Sequence, residues 1–274
     1  MSSFDLDDAD SYGPWRADKL DNYPRRAEDI MVSMDDREAI LRLCARANMA
    51  IYVSHGDFTK QTALAFCRGL GLMRLESPPG EGEDGVSEIR VIEEDRYIPY
   101  TNRPLSWHSD GYYNDRDHQV RGVLLHCLRD ARRGGETALL DPEIAYIRLR
   151  DDDPAMIEAL MRPDVLTIPE NQEINRPAVT GPVFSVIGGR LHMRYTARKR
   201  NAIWRDDAIT AKARDFLSAL LNGGDPLTIR HRLAAGQGLI SNNVLHDRAG
   251  FEDHDAPNRR RLLYRARFLD RIAA

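Results

Sequence analysis

The chain has 274 residues, 42% of them hydrophobic and 30% charged, with a formal net charge of -4. That is the make-up of an ordinary globular protein, long enough for one large domain or two small ones. The charge gives no reason to expect nucleic acid as a partner, and no apolar run approaches the ~20 residues of a membrane span. Three scattered cysteines (Cys44, Cys67 and Cys127) without a CxxC pair argue against a disulfide framework or a cysteine zinc site. With an acidic opening, MSSFDLDDAD, that lacks the regions of a signal peptide, they lead us to expect a cytoplasmic protein.

Residues 1–30 are acidic and irregular, and Trp15 and Tyr23 suggest an arm packed onto the body. Ser33 with Asp36 makes a capping box for a helix through REAILRLCARA. MAIYVS then reads as a strand, FTKQTALAFCRGLGL as an amphipathic helix ending at Gly69 or Gly71, and SPPGEGEDG as a loop. After residue 88 short strand-like runs dominate, among them VRGVLLHCL, TALLD, PVFSVI, RLHMRYT, GLISN and RLLYRARF. Gly188–Gly189 between two alternating runs predicts a hairpin. Helices interrupt the strands at about 142–161 and 206–222. The expected fold class is mainly β with helices (α+β), a sandwich or jelly roll with N-terminal and inserted helices. It would form a single domain over 31–274 behind the arm.

The stretch LSWHSDGYYN raises the question of function. In a strand, residues i and i+2 share a face, so His108 and Asp110 can reach one ion. Two histidines and one carboxylate are the donor set of non-haem Fe(II) oxygenases. His246, after the strand-like GLISNN, is a candidate third ligand among the remaining histidines. His126 lies in an apolar strand and reads as a core residue, while His118 and His254 sit in charged loops. Thr137 opens the strand in GGETALLD, and Arg261 and Arg265 share a face of the last strand. A buried guanidinium needs an anion. The neighbouring Arg259, Arg260, Arg267 and Arg271 read as a solvated basic edge.

In order along the chain, WHSD, LLHCL, GGET, NNVLHDRAGFED and RRRLLYR resemble the taurine dioxygenase and γ-butyrobetaine hydroxylase superfamily of Fe(II)/2-oxoglutarate-dependent oxygenases, over about residues 98 to 268. The resemblance implies a double-stranded β-helix core, Fe(II), 2-oxoglutarate as cosubstrate and O2. It implies His108, Asp110 and His246 as iron ligands, with Thr137 and Arg261 on the distal carboxylate of 2-oxoglutarate. Arg265 falls nearer the primary substrate or the iron-proximal end of the cosubstrate. The implied reaction hydroxylates an unactivated C–H bond and releases succinate and CO2.

The expected substrate is a small polar, anionic metabolite. Tyr100, Asn102, Tyr112, Tyr113, Arg194 and Tyr195 are the candidates to contact it, since tyrosines can cage a quaternary ammonium and Arg194 or Arg265 can bind a carboxylate or sulfonate. Tyr112 and Tyr113 read equally well as barrel packing. Two alternatives remain: the same chemistry on a nucleic acid or protein side chain, and a non-catalytic metal-binding barrel. The acidic balance counts against the first, and the intact ligand set with its Arg–Thr pair against the second. A homo-oligomer is open.

Overall fold

The structure, a computed structural model, describes residues 9–76, 84–93 and 97–272. Its strands assemble mainly into two sheets. The larger has six strands in the order Met31–Ser33, Met49–Val53, Gln237–Ser241, Gly122–Arg129, Leu262–Phe268 and Val86–Ile89. The smaller has four, in the order Ile229–His231, Thr137–Leu140, Leu245–Arg248 and Leu105–His108. Every pair in the two sheets is antiparallel except the parallel pairing of the first two strands. A cavity separates the sheets, lined by Leu125, Leu263 and Arg265 from the larger and by His108, Thr137 and His246 from the smaller.

Strand alternation assigns the two faces of the larger sheet. Leu263 and Arg265 turn into the cavity, whereas Ala266 and Phe268 join Leu124 and Ile240 against two helices. Those helices, Arg37–Ala47 and Lys60–Gly69, contribute Ile40, Cys44, Ala63 and Cys67, all at most 1% exposed. Removing apolar surface of this kind stabilises by roughly 1.5–3 kcal/mol per large side chain. The first helix is capped by Asp36, whose carboxylate accepts from Ala39 N at 2.9 Å. The Ser33 hydroxyl instead accepts from Asp35 N, so the expected capping box is not formed.

The inserted helices occur where the pattern put them, with one break. Helices Pro142–Asp152 and Pro154–Leu160 are separated at Asp153, which is extended (φ -160, ψ 109). A residue before proline is driven out of the helical region, and Pro154 has no N–H to continue the ladder. Helix Ala208–Gly223 packs beside them. The Gly188–Gly189 turn has φ of 58 and 72 and joins Phe184–Ile187 to Arg190–Met193, the left-handed pair that a tight hairpin requires.

The arm departs from the irregular segment expected. It contains a helix, Ala9–Asp21, that sequence periodicity does not announce because its stability is tertiary. Lys19 is buried and pairs with Asp141 at 2.6 Å and Glu143 at 2.7 Å. Trp15 meets Tyr146 edge-on at 6.3 Å. Of the expected loop SPPGEGEDG, residues 77–83 lie outside the described residues.

Candidate active site

Strands Leu105–His108 and Leu245–Arg248 are antiparallel neighbours in which His108 and His246 stand directly opposite. Their ring centroids are 4.2 Å apart. Asp110 reaches them by a turn rather than by the pleat, because the strand stops at His108. Gly111 (φ +66) makes that turn, where an added Cβ would lie 2.5 Å from Val120 Cγ2. Ligand atoms of His108, Asp110 and His246 then lie within 4.8 Å of one another, a grouping with no second example among the described residues.

The protonation of this trio suits a cation. Each histidine Nδ1 faces a backbone carbonyl at 2.9 Å, Ser106 O for His108 and Val244 O for His246. A carbonyl only accepts, so Nδ1 carries a proton, and Nε2 is the ring nitrogen turned toward the trio. Burial, reinforced by His246, pushes the His108 pKa down to about 3, so the ring is neutral. Burial alone would raise the Asp110 carboxyl. Arg265, with Nη1 3.9 Å from Asp110 Oδ1, together with His246 and Arg267, outweighs it and holds the group below the usual carboxylate range. Two imidazoles, each turned by a backbone carbonyl, and a carboxylate fit an Fe(II) with open positions.

The other end of the same cavity is cationic. Arg261 is 7% exposed, and among the described residues its Nη1 has no hydrogen-bond partner. Its guanidinium lies 4.9 Å from the Phe251 ring, and burial lowers its pKa. Gly135, at φ +78, passes close to it, so that a Cβ there would lie 3.8 Å from its Nε, and Thr137 begins the strand that follows. The space at this site, its opening to solvent included, is about 730 Å3.

The basic edge read into the last strand is corrected at two positions. Arg267 is 3% exposed, with Nη1 donating to Tyr113 Oη at 2.8 Å and Nε 3.0 Å from Glu76. It shares the inward face of Arg261 and Arg265, a consequence of parity that applies equally to residue 267. Arg271 turns inward to donate to the Asn48 side chain. Arg260, 3.9 Å from Glu93, does lie at the surface, and Arg259 is exposed.

The six substrate candidates do not line the cavity holding the trio and Arg261. Tyr112 packs edge-on to His108 at 6.3 Å and to Tyr113 at 5.3 Å. Tyr100 rests on the Ile89–Cys127–Leu263 cluster, and the Asn102 carbonyl accepts from Phe251 N. Tyr195 is 3% exposed, tilted against Trp204 beside a separate groove. Arg194 is corrected most clearly. It is 2% exposed, and its guanidinium donates to the carbonyls of Leu166, Gly181, Pro182, Tyr112 and Val179, which occupies it structurally.

Sequence reasoning missed Arg248, which lines the cavity while donating to the carbonyls of Pro99, Thr101 and Arg103 and so fixes the segment 99–103 beside it. Its spacing of two from His246 was the available signal.

Two facing antiparallel sheets, with a two-histidine, one-carboxylate trio and a buried arginine in the cavity between them, define the architecture of a non-haem iron oxygenase. The model of the taurine catabolism dioxygenase TauD, TfdA family matches residues 30–267, and the chain belongs to that family of Fe(II)- and 2-oxoglutarate-dependent dioxygenases. It is similar to a uridine-5'-phosphate dioxygenase of an Amycolatopsis species, 36% identical over 197 residues, covering 67% of this chain and 68% of the relative. A uridine-5'-phosphate dioxygenase of a Streptomyces species is 34% identical over 183 residues, covering 63% and 64%. Among solved structures, asparagine oxygenase in complex with Fe(II), 2S,3S-3-hydroxyasparagine and succinate superposes with a TM-score of 0.64 at 16% identity, over 86% of this chain and 78% of that one. The non-heme iron oxygenase OrfP with Fe and alpha-ketoglutaric acid gives 0.64 at 17%, over 86% and 78%. At such identity these two share the fold alone. No helix among the described residues is long and apolar enough to cross a membrane.

Proposed function

We propose that this dioxygenase binds Fe(II) through His108, Asp110 and His246 and hydroxylates a C–H bond of a small anionic metabolite, with a nucleoside 5'-monophosphate as the leading class. The observation that carries the site assignment is Arg261. A buried guanidinium with an unpartnered Nη1 is costly unless an anion meets it, and it shares its cavity with the trio. The nucleotide class is supported by the uridine-5'-phosphate dioxygenases at 36% and 34% identity.

In this reading Arg261 and Thr137 grip the distal carboxylate of 2-oxoglutarate, the arginine by charge and the threonine by a hydroxyl donor. When bound, Fe(II) supplies oxygen activation coupled to decarboxylation of the cosubstrate. The balance is substrate C–H plus 2-oxoglutarate plus O2, giving substrate C–OH, succinate and CO2. His108 and His246 offer Nε2 because their Nδ1 protons are held by carbonyls. Asp110 remains ionised beside Arg265. Leu105, Leu125 and Leu263 line the space between with apolar surface. Three free cysteines, all buried, agree with a cytoplasmic enzyme.

The test is substrate-stimulated succinate formation by anaerobically purified protein given Fe(II), 2-oxoglutarate and O2. Uridine 5'-phosphate, other nucleoside monophosphates, free nucleosides, amino acids and sulfonates form the panel. We expect a nucleoside monophosphate to give succinate and hydroxylated product in equal amounts, with the free nucleoside much weaker. Stimulation by amino acids or sulfonates alone would overturn the nucleotide class. No stimulation by any anionic metabolite would overturn the wider reading.

A further inference from the structure

The segment preceding His246 reads Ser-Asn-Asn-Val-Leu-His, and its two asparagines do different work. Asn242 is turned toward the helical layer. Its Nδ2 donates to Asn48 Oδ1 at 3.1 Å, and its Oδ1 accepts from Ile272 N at 3.0 Å. Asn243 is turned the opposite way, onto the backbone of Asp110. Its Oδ1 accepts from Asp110 N at 2.8 Å, and its Nδ2 donates to Asp110 O at 2.9 Å and Val120 O at 2.7 Å.

Asn243 is 2% exposed and sits at φ 56, a left-handed conformation that asparagine and glycine tolerate and most residues do not. One amide therefore engages both the N–H and the C=O of the residue that bears the carboxylate. It spans 133 residues of chain from a position three before His246. The need for such a clasp follows from the turn. Strand pairing fixes His108 against His246, but the ladder ends there, and Asp110 lies beyond it. Among the described residues, these contacts of Asn243 are the side-chain hydrogen bonds to the Asp110 backbone.

We propose that Asn243 is a positioning residue for the metal centre. It replaces the missing strand ladder at Asp110 and holds that carboxylate in register with the two imidazoles. The proposal rests on the reading of His108, Asp110 and His246 as metal ligands. An outer group that orients a ligand typically contributes about 10–100-fold in metal affinity. Asn243 should do the same through the backbone, without touching the metal.

The test uses Co(II) as the probe, titrated anaerobically into full-length metal-free protein, with melting temperature measured in parallel. Four variants are compared with the parent: Asn243→Gly, Asn243→Asp, Asn242→Ser and His246→Ala. Asn243→Gly keeps the left-handed backbone available and removes the clasp, and should weaken Co(II) about 10–100-fold. Asn243→Asp keeps the acceptor for Asp110 N but sets a carboxylate oxygen against two carbonyls. Charge alone predicts tighter Co(II) binding by this variant, whereas positioning predicts weaker binding. Asn242→Ser should lower the melting temperature and leave Co(II) affinity within about threefold.

Parental affinity in Asn243→Gly, tighter binding in Asn243→Asp, or an equal loss in Asn242→Ser would each overturn the proposal. If Asn243→Gly does not fold, the opposed signs predicted for Asn243→Asp decide the matter. Failure of the ligand reading has a separate signature. The parent would not bind Co(II), or His246→Ala would bind as the parent does, and the proposal would fall with it.

Discussion

Replacing Arg261 by leucine separates the contribution of one buried charge from the rest of the cavity. The guanidinium is 7% exposed, has no carboxylate in a salt bridge among the described residues, and leaves Nη1 without a partner. On the proposed assignment the distal carboxylate of 2-oxoglutarate completes it, so Arg261→Leu leaves that carboxylate buried without its cation. Breaking a buried pair in this way costs about 3–5 kcal/mol. At 1.4 kcal/mol per decade this weakens 2-oxoglutarate binding by about a hundredfold to a few thousandfold.

The same substitution should not destabilise the ligand-free protein. It exchanges a desolvated, incompletely bonded cation for an apolar side chain beside Phe251. Calorimetric titration of 2-oxoglutarate into Mn(II)-loaded protein, with a melting curve of each ligand-free variant, reads both effects. Arg260→Leu is the control, because Arg260 faces outward toward Glu93. A 2-oxoglutarate affinity within threefold of the parent in Arg261→Leu, or a larger loss in Arg260→Leu, would refute the argument.

Arg265→Leu should leave 2-oxoglutarate affinity within about threefold, below 1 kcal/mol, while uncoupling 2-oxoglutarate consumption from product; a loss matching that of Arg261→Leu would place Arg265 on the cosubstrate. Thr137→Ala should cost about 1–2 kcal/mol of 2-oxoglutarate affinity, since a single hydrogen bond to a charged group is lost, and an effect equal to that of Arg261→Leu would contradict that division. Arg194→Met should destabilise by at least about 3 kcal/mol in urea unfolding, because five carbonyls lose a common donor; a folded, stable variant with altered substrate KM would return Arg194 to the substrate site. His192 is 8% exposed, and burial, with Arg271, Arg121 and Arg194, pushes its pKa down to about 3. The unfolded chain, near 6.5, therefore binds a proton that the folded protein refuses. Stability is complete above about pH 6.5 and falls toward pH 3 by up to about 1.4 kcal/mol per unit. His192→Gln should flatten that acid limb in pH-dependent unfolding, and an unchanged slope would refute it.

Strand alternation and glycine placement made much of the fold legible. The last strand, the Gly188–Gly189 hairpin and both helical insertions follow from local pattern, because burial on a pleated sheet repeats every two residues. The trio was legible as residue types, but the reason Asp110 belongs to it was not. Same-face parity suggested a strand, and the chain supplies a turn at Gly111 instead. Arg194 and Arg267 show the limit from the other side. Sequence cannot tell a buried arginine bonded to carbonyls from one aimed at a ligand, since the deciding partners come from distant segments. The N-terminal helix was illegible for the same reason, its hold being Lys19 on Asp141 and Glu143.

The cavity draws its walls from two separate sheets, and this has a mechanical consequence. His108, His246 and Thr137 lie in the four-stranded sheet, whereas Arg261 adjoins, and Arg265 lies in, a strand of the six-stranded one. On the proposed assignment a bound dicarboxylate is a tie-rod between them, gripped by Arg261 at one end and reaching toward the trio at the other. At a hundred times its dissociation constant such a ligand adds about 2.7 kcal/mol against unfolding, expressed as resistance of the two sheets to parting.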